Sequence, residues 1–440
     1  MTIDSGFFKI IKKECASAFV SSLPMTMKPD TVFIDGQIKL MKADAVRTWS
    51  SFLHLQYYKT IEQSFGFGAS TVVLAFDNYA FVPVSKGMTQ ANRSKHMPQI
   101  DFCASDDLPS TLPENWSVLM RNRTFKVKVI KYILRCVQNW FEAKYEAGLA
   151  AHDAVWCNRT LVLDFAETIV LGKSIVNPIT VEMNVGRGEC DIKAFNWLKA
   201  CERMLVYSTD GDYLPIALLQ IQKFALSNAD TSAFLPDIWL FRIETKVASS
   251  TTSKRKRADG SLQSKFQKEF VHVNAIYSWM QDVVPSTKTT AVNQFCCLVA
   301  MCGCDFAMNL PQLGPQRLWQ VRHLLRHVDL MDKDSVVLAI SVAYQHSFTQ
   351  KNPRLMTERD CTPEGSIQHL NVTLQKISRA SNKRLVSQMW STERICAHAC
   401  NVLWVIQYWN LLQAHIHPHN EPGAWGYVVD AKGRTQFAAV

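Results

Sequence analysis

Three short runs along the chain are apolar at nearly every position and lead into an aspartate: TVFID (31–35), STVVLAFD (70–77) and RMLVYSTD (203–210). A strand with one wet face alternates apolar and polar side chains, whereas a strand buried on both faces does not. The runs therefore predict buried strands. Helical stretches between them, such as residues 43 to 65, predict an α/β fold with a mostly parallel sheet covered by helices on both faces. In such sheets ligands bind beyond the carboxyl ends of the strands. Three distant segments thus bring Asp35, Asp77 and Asp210 to one edge.

The remaining pattern gives the organisation. Residues 7 to 15 space Phe7, Ile10, Ile11 and Cys15 as one face of an amphipathic helix. A long excursion separates Asp77 from Glu189. It opens polar and basic, passes through DFCASDDLPSTLPENW with the look of irregular loop, and becomes strongly helical from Phe125 to Ala147, with Lys126, Lys128, Lys131 and Arg135. GRGECDIKAFNWL (186–198) predicts a helix opening after glycines, with Glu189 and Asp191 in its first turn. AVNQFCCLVAMCGCDF (291–306) predicts a buried helix that stops at Gly303, with Asp305 just beyond. Residues 246–265 are rich in Ser, Thr and Lys and are expected to be a disordered basic surface loop. The division expected is a core over 1–330, holding an insertion at about 80–185, and a helical C-terminal region over 331–440 that is rich in Trp and Leu. Those Trp and Leu rows read as packing rather than as base-stacking platforms.

Composition narrows the function. The 440 residues are 48% hydrophobic, with no apolar run long enough to span a membrane. The first residues, with Asp4 and several lysines, make a poor signal peptide. The 13 cysteines are scattered and odd in number, as expected of reduced thiols in an intracellular protein that is not secreted. Lys and Arg total 48 against 38 acids, a net charge of +10, which points to an anionic partner such as nucleic acid.

Seven acids, Asp35, Asp77, Glu189, Asp191, Asp210, Asp212 and Asp305, are expected at one edge. One Asp behind a strand usually caps a helix or ties a turn. Several together would repel and raise one another's pKa, and divalent cations relieve that repulsion. Oxygen-only ligands favour Mg2+ or Mn2+ over zinc. Two such ions roughly 4 Å apart can clamp the attacking and leaving oxygens of a phosphodiester displacement.

The ordered set of motifs resembles the flap endonuclease and xeroderma group G family of structure-specific nucleases. IDG (34–36), FDN (76–78), GECDI (188–192), DGD (210–212) and AMCGCDF (300–306) follow the family's order over about residues 6 to 326. The resemblance implies a PIN-like 5′-nuclease core. In it Asp35, Asp77, Glu189 and Asp191 hold one metal and Asp210, Asp212 and Asp305 hold the other, with Asp191 shared. Asp77 and Asp210 are carried over as catalytic. It also implies that Lys86 and Arg93, two helical turns apart, lie in a helical arch where they steer the scissile phosphate. The family's N-terminal glycine near the scissile region has its counterpart in Gly6. Asp191 replaces the family's second glutamate, and Gln312 stands where the family usually has a glycine.

NLPQLGPQRLWQVRHLLRH (309–327) resembles a helix-hairpin-helix, with Gly314 at the turn and Arg317 and Arg322 on the following helix. Such a hairpin would bind a duplex phosphate, with K+ as an intermediary. SKRKR (253–257) is a candidate nuclear import signal. CAHAC (396–400) with His415, His417 and His419 has the spacing of ordinary core and tail residues rather than of a zinc site. No clamp-binding peptide is seen in RTQFAAV, and a monomer is expected. The expected activity is Mg2+- or Mn2+-dependent cleavage of branched or 5′-ended DNA. The alternatives are an endoribonuclease with the same site and a non-catalytic nucleic-acid-binding relative.

Overall fold

The computed structural model describes residues 4–40, 46–78, 111–173, 188–198, 202–227, 235–246, 265–284, 290–304, 307, 309–348, 362–379, 390–411, 427–429 and 435–437. Asp305, Lys86, Arg93, SKRKR and the three tail histidines lie outside these residues.

Eight strands form one sheet: β1 (Phe19–Val20), β2 (Thr31–Asp35), β3 (Thr71–Ala75), β4 (Thr160–Asp164), β5 (Thr168–Gly172), β6 (Arg203–Tyr207), β7 (Asp237–Lys246) and β8 (Lys265–His272). Their spatial order is β1-β8-β7-β6-β2-β3-β4-β5. The five central strands, β7 to β4, are parallel to one another, while β5, β8 and β1 add antiparallel edges. The three predicted strands are all present, and the sheet is mostly parallel and covered by helices as expected.

Alternate side chains of each central strand enter two different cores, as a period of two requires. Phe33, Val73, Val162, Met204, Val206, Ile238 and Leu240 join one. Val32, Ile34, Val72, Leu74, Leu161, Leu163, Leu205, Trp239 and Phe241 join the other. Both faces are dry, which is why these strands read as unbroken apolar runs. The second face is covered by the helical stretch from Trp49 to Gly66 and the long helix Arg123–Ala150. The stretch from Trp49 to Gly66 contains a π-helical turn at His54–Tyr58. The first face is covered by the helices Asp4–Glu14, Cys190–Asn196, Tyr213–Ser227, Val273–Val283 and Ala291–Cys302.

The helices Lys333–Phe348, Pro363–Arg379 and Thr392–Leu411 confirm a helical region past residue 330. Val336, Leu338, Trp404 and Trp409 pack into the same core as Phe33 and Val206, so this region continues the first face. His398 is fully buried in it, and burial pushes its pKa down to about 4. It is a core histidine.

Three elements depart from expectation. The stretch between Asp77 and Glu189 is more than an insertion, because it supplies β4 and β5. TLVLDF (160–165) has the same apolar-run-then-acid pattern as the predicted strands. Residues 246 and 265 are not loop: Lys246 pairs with Lys265 at the connected end of the β7–β8 hairpin, and the rest of the predicted loop, 247–264, lies outside the described residues. Part of the region predicted to be helical forms a small hairpin, Tyr427–Val429 with Thr435–Phe437.

Candidate active site

The strand order sets the place. From β2 the chain moves outward through β3 and β4, then returns to the other side of β2 for β6 and β7. The connection after β2 covers one face and the helix after β6 covers the other. The two connections diverge there, leaving a crevice between the ends of β2 and β6 where open α/β sheets bind ligands. Asp35 ends β2, and Asp210 follows β6 by a short turn.

Asp35 is 6% exposed. Its carboxylate accepts hydrogen bonds from the Gln37 backbone N–H (3.0 Å) and from the Tyr213 (3.2 Å) and Ser208 (3.3 Å) hydroxyls. Burial, then the nearby charges of Asp77 and Asp210, push its pKa up to about 8 against the pull of Gln37 and Tyr213. Gly36 is required here by space. A Cβ on it would lie 2.5 Å from the Phe76 ring and 2.8 Å from the Ala75 carbonyl oxygen.

Asp77 is half-buried and accepts from the Cys190 backbone N–H at 2.9 Å, which aims the start of the helix Cys190–Asn196 at it. Glu189 is the N-cap of that helix and Asp191 lies in its first turn. The expectation that both acids sit in the first turn shifts by one residue at Glu189. Both are buried. Gly188 takes φ +90°, a conformation other residues avoid, and its carbonyl accepts from the Asn78 N–H at 2.8 Å. That contact joins FDN directly to GEC.

In DGD, Asp210 is exposed and Asp212 is buried. Asp210 receives the Asp212 N–H at 3.3 Å, and its own N–H donates to Ser208 Oγ at 3.1 Å. Tyr213, next in the chain, is held protonated by burial and by the charges of Asp35, Asp191 and Asp77, so these three acids act on one point. Asp77 and Asp210 thus lie close enough to act on Asp35, and Asp35, Asp77 and Asp191 close enough to act on Tyr213. Among the described residues, however, no three His, Cys, Asp or Glu side chains close on a single point at coordinating distance. The donors on offer are carboxylate oxygens, which suit Mg2+ or Mn2+ in kind.

Sequence reasoning missed Asp164 and Lys193. Both side chains are fully buried, with Nζ 3.0 Å from Asp164 Oδ1. Burial pushes the Asp164 carboxyl up to about 6 against the pull of Lys193 and Trp197. The signal for Asp164 was its place behind TLVL. For Lys193 there was none, because a lysine in a helix that begins with acids reads as a surface residue.

Helix Ala291–Cys302 ends at Gly303, as predicted, and helix Pro315–Val321 begins after Gly314. Gly314 is extended (φ −99°), and the left-handed residue of the turn is Gln312 at φ +62°. The expectation that Gly314 makes the turn is corrected accordingly: Gly314 is the N-cap. Gly6 sits against Pro315, where a Cβ would lie 2.2 Å from the ring. Arg317 donates to the Gln312 carbonyl at 2.8 Å. Arg322 is half-buried and donates to the carbonyls of Val283 (3.2 Å) and Trp319 (2.9 Å). Between the N-terminal helix and the hairpin, Lys9, Lys13, Glu14, Gln316 and Arg317 line a cleft of about 430 Å³.

No helix among the described residues is long and apolar enough to cross a membrane. The ten described cysteines are all free. No protein-family model matches the chain, and a search of curated proteins finds no match. Among solved structures, the catalytic core of Rad2 in complex with DNA substrate is similar with a TM-score of 0.34 and 11% identity, covering 86% of this chain and 85% of that one. Similarity at that level assigns no residue a role.

Proposed function

We propose that this protein is a divalent-metal-dependent nuclease that hydrolyses phosphodiester bonds in branched or 5′-ended DNA. The observation that carries the reading is Asp35. It is a carboxylate buried at the crevice between β2 and β6, and its strongest charged neighbours are two more acids, Asp77 and Asp210. Such a group must either keep a proton near neutral pH or share a cation. The ordered acidic motifs supply the rest of an all-oxygen donor set.

In this reading Asp35, Asp77, Glu189 and Asp191 hold one Mg2+ or Mn2+, and Asp210, Asp212 and Asp305 hold a second. When bound, the ions would supply Lewis-acid stabilisation of the attacking and leaving oxygens. The chain's own part is to orient these carboxylates. Tyr213, Ser208 and the Gln37 N–H fix Asp35, and the Cys190 N–H fixes Asp77. Lys86 and Arg93 are assigned to steering the scissile phosphate. Gly314, Arg317 and the K+-assisted hairpin are assigned to duplex backbone, with Arg322 supporting that helix from inside through its two carbonyl contacts. SKRKR is assigned to nuclear import.

The test is cleavage of matched DNA flap, nicked duplex, Holliday junction and single-stranded RNA by purified protein in Mg2+. EDTA and Asp35→Asn serve as controls. Cleavage of a DNA substrate that both controls abolish is expected. Full activity in excess EDTA would overturn the metal reading. Cleavage of RNA alone would move the same site to an endoribonuclease, and binding without cleavage would leave a nucleic-acid-binding protein.

A further inference from the structure

Lys193 is a fully buried lysine whose ammonium donates to Phe76 O at 2.8 Å and to Phe165 O at 3.0 Å and forms an ion pair with Asp164 Oδ1 at 3.0 Å. The two carbonyls belong to the residues that immediately precede Asp77 and follow Asp164. Lys193 itself lies one helical turn beyond Glu189. The ammonium therefore ties the ends of β3 and β4 to the helix that carries Asp191.

This tie is the last of a series. The Asn78 N–H donates to Gly188 O at 2.8 Å, the Cys190 N–H donates to Asp77 Oδ1 at 2.9 Å, and Lys193 reaches Phe76 O. The two segments run antiparallel and are joined at residues 78 and 188, 77 and 190, and 76 and 193. Phe76 is held from its other side as well, since its N–H donates to Asp164 O at 2.8 Å. Nothing about stability alone calls for ions here. A buried ion pair can often be exchanged for well-packed neutral residues at little cost. An apolar pair would fill the space, yet it could not hold two backbone carbonyls at the strand ends.

We propose that Lys193 and Asp164 are a positioning pair that holds the backbone of Asp77 against the helix start carrying Glu189 and Asp191, so that side-chain adjustment alone brings these carboxylates onto a divalent cation. The inference rests on the reading of the acids as metal ligands. Partners that hydrogen-bond to ligand side chains typically change metal affinity by about 10- to 100-fold when removed; Lys193 acts one step further out, through the Phe76 carbonyl, so the lower end of that range is expected. Asp164 orients and neutralises the ammonium, and Lys193 does not touch substrate.

The test compares Mn2+ binding, followed by the electron paramagnetic resonance of free Mn2+, with thermal melts in EDTA. Two full-length variants are used. Lys193→Met with Asp164→Asn removes the ties and leaves no unpaired buried charge. Lys193→Gln with Asp164→Asn is equally neutral but keeps a donor for the carbonyls. The pair as positioner predicts an Mn2+ Kd at least tenfold weaker for the Met variant, with recovery of much of that loss in the Gln variant. Both should melt within a few degrees of each other in EDTA. Equal Mn2+ affinity in wild type and both variants would overturn this inference alone. Failure of both variants to fold would assign the pair to stability and overturn it too. Absence of Mn2+ binding by the wild-type protein would overturn the metal reading and take the inference with it.

Discussion

Replacing Asp35 with asparagine is expected to stabilise the metal-free protein at neutral pH, the reverse of what most buried substitutions do. The asparagine side chain would fit the same space. Its Oδ1 can accept the Gln37 N–H, and its amide can donate to the Ser208 and Tyr213 hydroxyls, which accept as readily as they donate. What is removed is the free energy of ionising a carboxyl that is buried beside Asp77 and Asp210. The folded-state pKa of about 8 lies above the ordinary aspartate value of 3.8, so folding favours the protonated form. The contribution is fully present below the unfolded pKa and is lost as pH rises through the folded one. Each pH unit across that window costs about 1.4 kcal/mol. The advantage of Asp35→Asn over wild type should therefore be near zero at pH about 4, reach on the order of 4 kcal/mol by pH 7, and level off above pH about 8. His398, whose pKa is depressed to about 4, destabilises the fold as pH drops, but it does so in both proteins and cancels in the difference. Guanidinium unfolding in EDTA from pH 4 to 8.5 measures the quantity directly. Added Mg2+ should raise wild-type stability at pH 8 and do much less for the variant. A variant less stable than wild type by a constant amount at every pH would show that Asp35 is a turn carboxylate valued for its three donors, and the reasoning would fail.

Two further outcomes follow from the site. Asp210→Asn with Asp212→Asn should abolish cleavage while DNA binding in Ca2+ and the melt in EDTA stay near wild type, since the amides keep the size and phosphate contacts lie elsewhere. An active but destabilised double variant, with about 1 kcal/mol lost per residue, would make these acids structural. Lys86→Ala or Arg93→Ala should lower the single-turnover cleavage rate far more than substrate affinity, the mark of contacts made mainly in the transition state. Wild-type rates in both variants would remove them from the mechanism.

How much of this was visible beforehand depended on whether a residue's role is local. Runs buried on both faces announce themselves, so β2, β3 and β6 and the acids behind them could be read from TVFID, STVVLAFD and RMLVYSTD. The helix stop at Gly303 was local in the same sense. β4 carries an equally clear run but sits inside a stretch whose first half is polar and basic, and that context masked it. β7 and β8 were not read from the sequence, and at their tips Lys246 and Lys265 continue the basic composition of the segment between them. The role of Gly6 lay in a contact with Pro315, distant in the chain, which no nearby residue reveals. Lys193 was hidden for a stronger reason. Its burial depends on a carboxylate delivered by another strand and on two carbonyls, and backbone groups carry no sequence signature.

The sheet itself offers a comparison that bears on the acids. Four of its parallel strands deliver an aspartate to the same edge: Asp164 at the end of β4, Asp77 after β3, Asp35 at the end of β2 and Asp210 after β6. The outermost of these, Asp164, is fully buried and has a lysine of the chain as its counter-ion at 3.0 Å. Its pKa is accordingly pushed only to about 6. Asp35, at the crevice, is held by neutral donors, with acids as its strongest charged neighbours, and is pushed to about 8. The same edge thus treats two buried carboxylates in opposite ways. A permanent counter-ion at Asp164 ties backbone segments together and closes the position to solvent. A lysine at Asp35 would neutralise the carboxylate but also fill the crevice where the connections of β2 and β6 part. Leaving the charge uncompensated costs stability, the quantity that Asp35→Asn would recover. That cost has a use only if a diffusible cation is to occupy the position, and the crevice is where such an ion could also meet a ligand.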